Sequence, residues 1–266
     1  MSLIAQSVGF VGFGKMAEAL WQGARTELVP SGHMAFEINP DRQRVAESLG
    51  LELAELSTLG QRASLMILCI KPQNLNDLPP IHFGDNQPTI ISILAGTSIA
   101  SLERAFPGKP IVRVMPNTPC MVGDGMSAIA FSSQVSEDIK IDIRQLFYAT
   151  GDVAIVPEHW MDIITGISGS GPAFIYRLFR AAINAATTEG VPEEVAVQLF
   201  AQTLIGAGRM VQKSGKSPEQ LTKDVTSPGG TTLAGLTEFD HLEIDRRFMD
   251  VILRATQRSK ELSKGI

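Results

Sequence analysis

Cysteine is almost missing from this chain. The two present among 266 residues are Cys69, inside an apolar run, and Cys120, in a loop pattern. No disulfide framework and no thiolate metal site can be built from them. Histidine is scarce too: His33, His82, His159 and His241 stand far apart, without the paired spacing of a metal-binding helix, so no metal is assigned. Positive charge is in deficit. A net charge of −5 argues against nucleic acid as a partner. Long hydrophobic runs are also lacking, since stretches such as Leu65-Met66-Ile67-Leu68-Cys69-Ile70 are too short to span a bilayer. No basic segment followed by an apolar stretch and a cleavage site opens the chain, so a cytoplasmic protein with no membrane partner is expected. With 44% hydrophobic residues, a chain of this length can bury a sizeable core as one large or two modest domains.

What is present changes character near residue 158. Before it, strand patterns alternate with helical ones: Val8 to Val11, Met34 to Ile38, Leu65 to Ile70, Thr89 to Leu94, Ile111 to Met115, Ala128 to Phe131 and Asp152 to Val156. Such alternation predicts an α/β unit with a mostly parallel sheet. After Glu158 the pattern is helical, in segments from Pro172 to Thr188, Pro192 to Gln212 and Leu242 to Lys264. The expected organisation is a Rossmann-like domain over residues 1–158 and an all-helical domain over 159–266.

The first strand runs into Gly12-Phe13-Gly14-Lys15-Met16-Ala17 and then a helix, which is the context a dinucleotide turn of the form GxGxxA requires. Gly12 permits the tight turn, Gly14 lets a pyrophosphate approach the backbone, and Ala17 stands where helix and strand pack closely. The ribose-reading position should fall about 20 residues further on. Asn39, Arg42 and Arg44 lie there, and Asn39 with an arginine suits the 2′-phosphate of NADP. Glu37, on the same strand face as Asn39, is the competing reading, because a carboxylate suits the free ribose hydroxyls of NAD. The balance leans to NADPH, with NAD open.

In an open parallel sheet, ligands sit beyond the carboxyl ends of the strands. There the chain places Lys71-Pro72-Gln73, Ala95-Gly96-Thr97 and Met115-Pro116-Asn117-Thr118-Pro119. Lys71 brings a positive charge, Asn117 an amide, and Ala95, Gly96, Pro72 and Met115 close walls suited to a cofactor. A second cradle lies at Val225-Thr226-Ser227-Pro228-Gly229-Gly230-Thr231-Thr232. It joins turn residues to hydroxyls just ahead of a helix, whose unpaired opening amides suit a carboxylate or phosphate.

Taken in order, Gly9 through Ala17, Lys71-Pro72-Gln73, Arg113 through Pro119, Gly169-Ser170-Gly171-Pro172-Ala173 and Asp224 through Thr232 resemble the pyrroline-5-carboxylate reductases over nearly the whole chain. The resemblance implies NAD(P)H-dependent reduction of the cyclic imine 1-pyrroline-5-carboxylate to L-proline, the last step of proline biosynthesis. It places the substrate carboxylate on Ser227, Gly229, Gly230, Thr231 and Thr232, with the Thr232 hydroxyl near the imine nitrogen as the catalytic group. It also implies a homodimer through the C-terminal helices, in some members a larger ring of dimers. The chain departs from the common pattern at Asn184, where many members carry Asp, at Leu94-Ala95-Gly96-Thr97, and at Glu37-Ile38-Asn39-Pro40.

The alternatives are a β-hydroxyacid dehydrogenase-like oxidoreductase, a non-catalytic NAD(P)-binding regulatory protein, and a scaffold built on the helical half. The first needs a helix lysine as acid and base, but Arg180 stands four residues before Asn184 and keeps its proton. The intact second cradle weighs against the second, and dimerisation accounts for the apolar helices as well as a scaffold would.

Overall fold

The computed structural model describes residues 4–30 and 32–263. Short apolar runs form the strands, and their carboxyl ends carry the predicted turns. In chain order the first unit contains β1 (Val8–Val11), α1 (Lys15–Ala24), β2 (Met34–Phe36), α2 (Pro40–Ser48), β3 (Glu52–Leu53), α3 (Leu56–Arg62), β4 (Leu65–Leu68), β5 (Thr89–Ser92), α4 (Ile99–Ala105), β6 (Ile111–Met115), β7 (Gly125–Phe131), α5 (Glu137–Tyr148), β8 (Gly151–Ile155) and α6 (Met161–Ile164). The eight strands form one sheet in the order β3-β2-β1-β4-β5-β6-β7-β8. Every pairing is parallel except β6 with β7.

The sheet is covered on both faces, which explains why its strands read as unbroken apolar runs rather than as alternating ones. Leu65 and Ile67 of β4 join Phe10, Trp21 and Phe147 in one core layer, while Met66 and Leu68 join Leu59, Leu102 and Met161 in the other. The chain leaves β1 toward β2 and β3, then returns to β4 on the other side of β1. This is the switch point at which ligands of such sheets bind.

The expected strands are all present, several one or two residues shorter at the carboxyl end because the chain there bends into the turns. β3 was not expected; its two residues are too few for a periodic pattern. Among the described residues no strand follows Ile155. The helical remainder contains α7 (Gly171–Thr188), α8 (Glu193–Lys213), α9 (Pro218–Asp224), α10 (Thr231–His241) and α11 (Ile244–Ser263). The expected helix to Lys264 ends at Ser263, and Lys264 itself lies outside the described residues.

By packing, residues through Ser170 and from Arg254 onward form one compact unit, and Gly171–Leu253 form the other. This division falls later than residue 158 because Met161 is fully buried in the first unit's core and Thr165 and Gly166 are buried with it. The end of α11 returns to the same unit, where Ser259 Oγ donates to Asp162 at 2.7 Å. Asp162 and Glu158 both face the buried Arg113 guanidinium, at 3.6 and 3.4 Å. Gly96, at φ +70°, sits so close under α11 that a Cβ would lie 2.6 Å from Leu262.

The second unit is thinly cored. Among its described residues only Ala196 is buried, while Tyr176, Leu199, Met210 and Met249 are more than half exposed. Among the described residues no helix is long and apolar enough to cross a membrane. No group of three or more His, Cys, Asp or Glu among them is placed to hold a metal ion.

Candidate active site

The glycine turn after β1 is built as its sequence requires. Gly12 adopts φ +86°, and a Cβ there would lie 2.9 Å from the Ile70 side chain and 3.2 Å from the Cys69 backbone, so only glycine fits. Gly14 is the N-cap of α1; no side chain caps it, and nothing lies within 4 Å of where its Cβ would stand. The opening amides of α1 therefore have neither a side-chain cap nor an intrahelical partner. Ala17 is fully buried between helix and sheet, Phe13 is fully buried in the core, and Met16 Sδ lies 3.5 Å from Cys120 Sγ. Lys15 is exposed and pairs with Glu18 at 3.3 Å. Burial pushes the Cys120 thiol above its ordinary pKa.

Beside the turn, at the switch point, lies a cavity of about 490 Å³, lined among others by Gly12, Gly14, Glu37, Ile38, Lys71 and Asn74. A volume of that size falls within the range of small-ligand sites. Open space over Gly14, uncapped amides and a cavity beside them fit the diphosphate and one nucleoside of a dinucleotide. Lys71 is exposed and caps a short 3-10 turn begun by Pro72.

Of the residues expected at the ribose position, Arg44 pairs with Asp41 at 3.4 Å, and Asn39, Arg42 and the competing Glu37 have separate roles. The Asn39 side chain accepts from the Asp41 amide at 2.9 Å and so caps α2. Arg42 donates through Nε to the Phe13 carbonyl and through a terminal nitrogen to Glu18, both at 2.8 Å. The Arg42 guanidinium, with Lys15 adding to it, holds the Glu18 carboxyl below its ordinary pKa. Glu37 Oε2 accepts the Phe13 amide at 2.6 Å, and Oε1 accepts the amides of Ile38 and Asn39, each at 2.8 Å.

At the carboxyl end of β6, Asn117 Oδ1 accepts the Met126 amide at 2.9 Å, which turns its Nδ2 toward Ser168 Oγ, 3.4 Å away. Ser168 belongs to a π-turn over Thr165–Gly169, closed by the Ser170 amide on the Thr165 carbonyl at 2.8 Å. Such turns recur at functional sites. Met115 packs directly on this turn: a Cβ on Gly169 would lie 2.3 Å from the Met115 methyl. The sequence shows Gly169-Ser170-Gly171 but no sign of the π-turn, because i to i+5 bonding has no composition of its own. Ala95 and Gly96 stand in the turn after β5, outside the cavity lining, with Gly96 under the end of α11.

In the second unit, Gly229 adopts φ +71° and Gly230 is the N-cap of α10, again with no side-chain cap. Ser227 leans over Gly230, so that a Cβ there would meet Ser227 Oγ at 2.4 Å, and the Gly230 amide bonds the Ser227 carbonyl at 3.1 Å. Thr231 and Thr232 open the helix. Asp224, the nearest carboxylate in sequence, is held by Lys216 at 2.6 Å, which offsets the charge that would oppose an anion in the turn. The structure thus gathers Ser227, Gly229, Gly230, Thr231 and Thr232 in one turn, and gathers the glycine turn, Glu37, Ile38, Lys71 and Asn74 around one cavity.

Comparison with known proteins bears on both units. The family model described as pyrroline-5-carboxylate reductase dimerisation matches residues 158–262, and that described as NADP oxidoreductase, coenzyme F420-dependent, matches residues 7–96. The pyrroline-5-carboxylate reductase of Pisum sativum is 36% identical, the match covering 97% of this chain and 96% of that one. That of Methanosarcina acetivorans is also 36% identical, covering 97% and 98%. Among solved structures, the 1-pyrroline-5-carboxylate reductase of Streptococcus pyogenes superposes with a TM-score of 0.88 at 30% identity, covering 97% of this chain and 99% of that one. The pyrroline carboxylate reductase of Plasmodium falciparum, solved with NADP bound, gives 0.87 at 28%, covering 98% and 100%.

Proposed function

The chain belongs to the pyrroline-5-carboxylate reductase family, and from that premise we propose that it reduces 1-pyrroline-5-carboxylate to L-proline at the expense of a nicotinamide dinucleotide. The observation that carries this reading is the pair of uncapped glycine turns, one beside a nucleotide-sized cavity and one flanked by three hydroxyls.

The turn from Gly12 through Gly14, Lys15 and Met16 holds the diphosphate at the opening of α1, with Phe13 and Ala17 buried beneath it, and Lys71 and Pro72 flank the nucleoside. Met115 and Asn117 wall the nicotinamide end, with the Ala95-Gly96 turn behind them, Gly96 closed over by the end of α11. The bound dinucleotide supplies the hydride. NADPH would require Arg42 to exchange Glu18 for a 2′-phosphate and Asn39 to serve it beside its capping bond, whereas NADH asks only for an acceptor to its ribose hydroxyls.

Ser227, Gly229, Gly230, Thr231 and Thr232 hold the substrate carboxylate through hydroxyls and the opening amides of α10. A cyclic imine takes up a proton near neutral pH, so no strong acid is needed on the chain. Thr232 holds that proton on the ring nitrogen as C=N becomes C–N. Orientation is then the main contribution, worth roughly 7 to 11 kcal/mol at the favourable limit.

The unit that runs through Ser170 serves the dinucleotide, and the helical unit Gly171–Leu253 serves the substrate and dimerisation. The second unit's exposed apolar side chains, among them Tyr176, Leu199 and Met210, are the surface a second copy covers. Assembly of such dimers into a larger ring, and a cytoplasmic setting, complete the proposal.

Thr232→Ala tests the substrate turn. Turnover should fall on the order of tenfold or more, consistent with loss of one charge-assisted hydrogen bond of about 1.5 to 3 kcal/mol, while Thr232→Ser recovers most of it. An undiminished rate in a folded Thr232→Ala protein removes Thr232 from the mechanism.

A further inference from the structure

We propose that Glu37 sets the choice of dinucleotide and makes NADH, not NADPH, the preferred cofactor; the inference rests on the glycine turn holding a nicotinamide dinucleotide. Glu37 is the first residue past β2, at the rim of the 490 Å³ cavity. Its carboxylate accepts three backbone amides, from Phe13, Ile38 and Asn39, which fixes both oxygens. A carboxylate has about four acceptor positions. With three filled from the protein, what remains suits a ribose hydroxyl and repels a phosphate dianion.

The cations that a 2′-phosphate would need are engaged elsewhere. Arg42 is held by the Phe13 carbonyl and Glu18 with only 18% of its side chain exposed, and Arg44 is paired with Asp41 on the solvated side of α2. Neither lines the cavity. The one cation among its lining residues, Lys71, follows β4 rather than β2, and the other charged residue there besides Glu37 is Asp77. Ile38, 80% exposed beside Glu37, offers an apolar surface to the adenine. Without a ligand, Glu37 ties the strand end to the glycine turn through Phe13, so the ribose reader and the diphosphate cradle form one preassembled piece.

The test is calorimetric titration of the full-length protein with NADH and with NADPH, repeated on Glu37→Gln and Glu37→Ser, with a melting curve for each variant. We expect the unaltered protein to bind NADH at least about tenfold more tightly, and both folded variants to lose that ratio, chiefly by tighter NADPH binding. Tighter NADPH binding by the unaltered protein, or a ratio unchanged in either folded variant, overturns the assignment of Glu37 alone. Failure to bind either dinucleotide overturns the parent reading with it. Because binding is measured without substrate, an inactive second unit would not disturb the result.

Discussion

Replacing Gly12 and Gly14 by alanine, one at a time, separates folding from binding within a single turn. At Gly12 the added methyl meets φ +86° and a 2.9 Å approach to Ile70. The left-handed conformation costs about 1 to 2 kcal/mol in a non-glycine residue, and crowding a packed site costs about 1 to 3 more. A total near 3 kcal/mol lowers the melting temperature by roughly 6 to 12 °C for a unit of this size. At Gly14, by contrast, φ is −73° and nothing lies within 4 Å of the new Cβ. Alanine is a poorer N-cap than glycine, by up to about 1 kcal/mol, but losing glycine's freedom in the unfolded chain returns about 0.4 to 1 kcal/mol. The melting curve of Gly14→Ala should therefore stay nearly unchanged. Its methyl nevertheless stands where the diphosphate must approach, and dinucleotide affinity should fall at least about tenfold, or 1.4 kcal/mol. Melting without ligand, followed by titration with NADH, reads both quantities. A Gly14→Ala protein that binds as tightly as the original refutes the cradle, and one destabilised as much as Gly12→Ala refutes the packing argument.

Two further outcomes follow from the same geometry. Gly169→Ala drives a methyl into the end of the flexible Met115 side chain, so stability should change little while kcat/KM drops several-fold; adding Met115→Ala clears the space, and the double-mutant cycle should show a coupling of about 0.5 to 3 kcal/mol. Strict additivity would mean that the π-turn does not hold Met115 at the site. Cys120 is buried and its thiol is pushed above the ordinary range, so little thiolate exists at neutral pH and thiol reagents should modify it only after denaturation, which mass mapping of a native and a denatured sample will show. Rapid native labelling at Cys120 would contradict its packing against Met16.

What the sequence disclosed depended on how local the cause was. The strand, glycine turn and helix around Gly12 and Gly14 are contiguous, and so is the Ser227 to Thr232 turn, so both turns were legible in the sequence. The two-layer core was legible as well, because a sheet buried on both faces has to be built from runs such as Leu65 to Ile70. The anchoring of α11 was not. Ser259 meets Asp162, and Asp162 meets Arg113, across separations that no periodicity records. Asn39 and Arg42 have the right chemistry for a phosphate, but their engagement with Asp41 and Glu18 is a matter of side-chain geometry. Glu37 was legible only as a competitor to them, since three amides converging on one carboxylate are a property of the folded turn.

The most direct measurement is to supply 1-pyrroline-5-carboxylate with NADH or NADPH, follow loss of the reduced cofactor's absorbance, and identify the product by mass. L-proline is expected, formed mole for mole with cofactor oxidised and faster with NADH at limiting concentrations of cofactor. Tight dinucleotide binding without proline, or turnover only of a hydroxyacid with oxidised cofactor, would contradict that expectation.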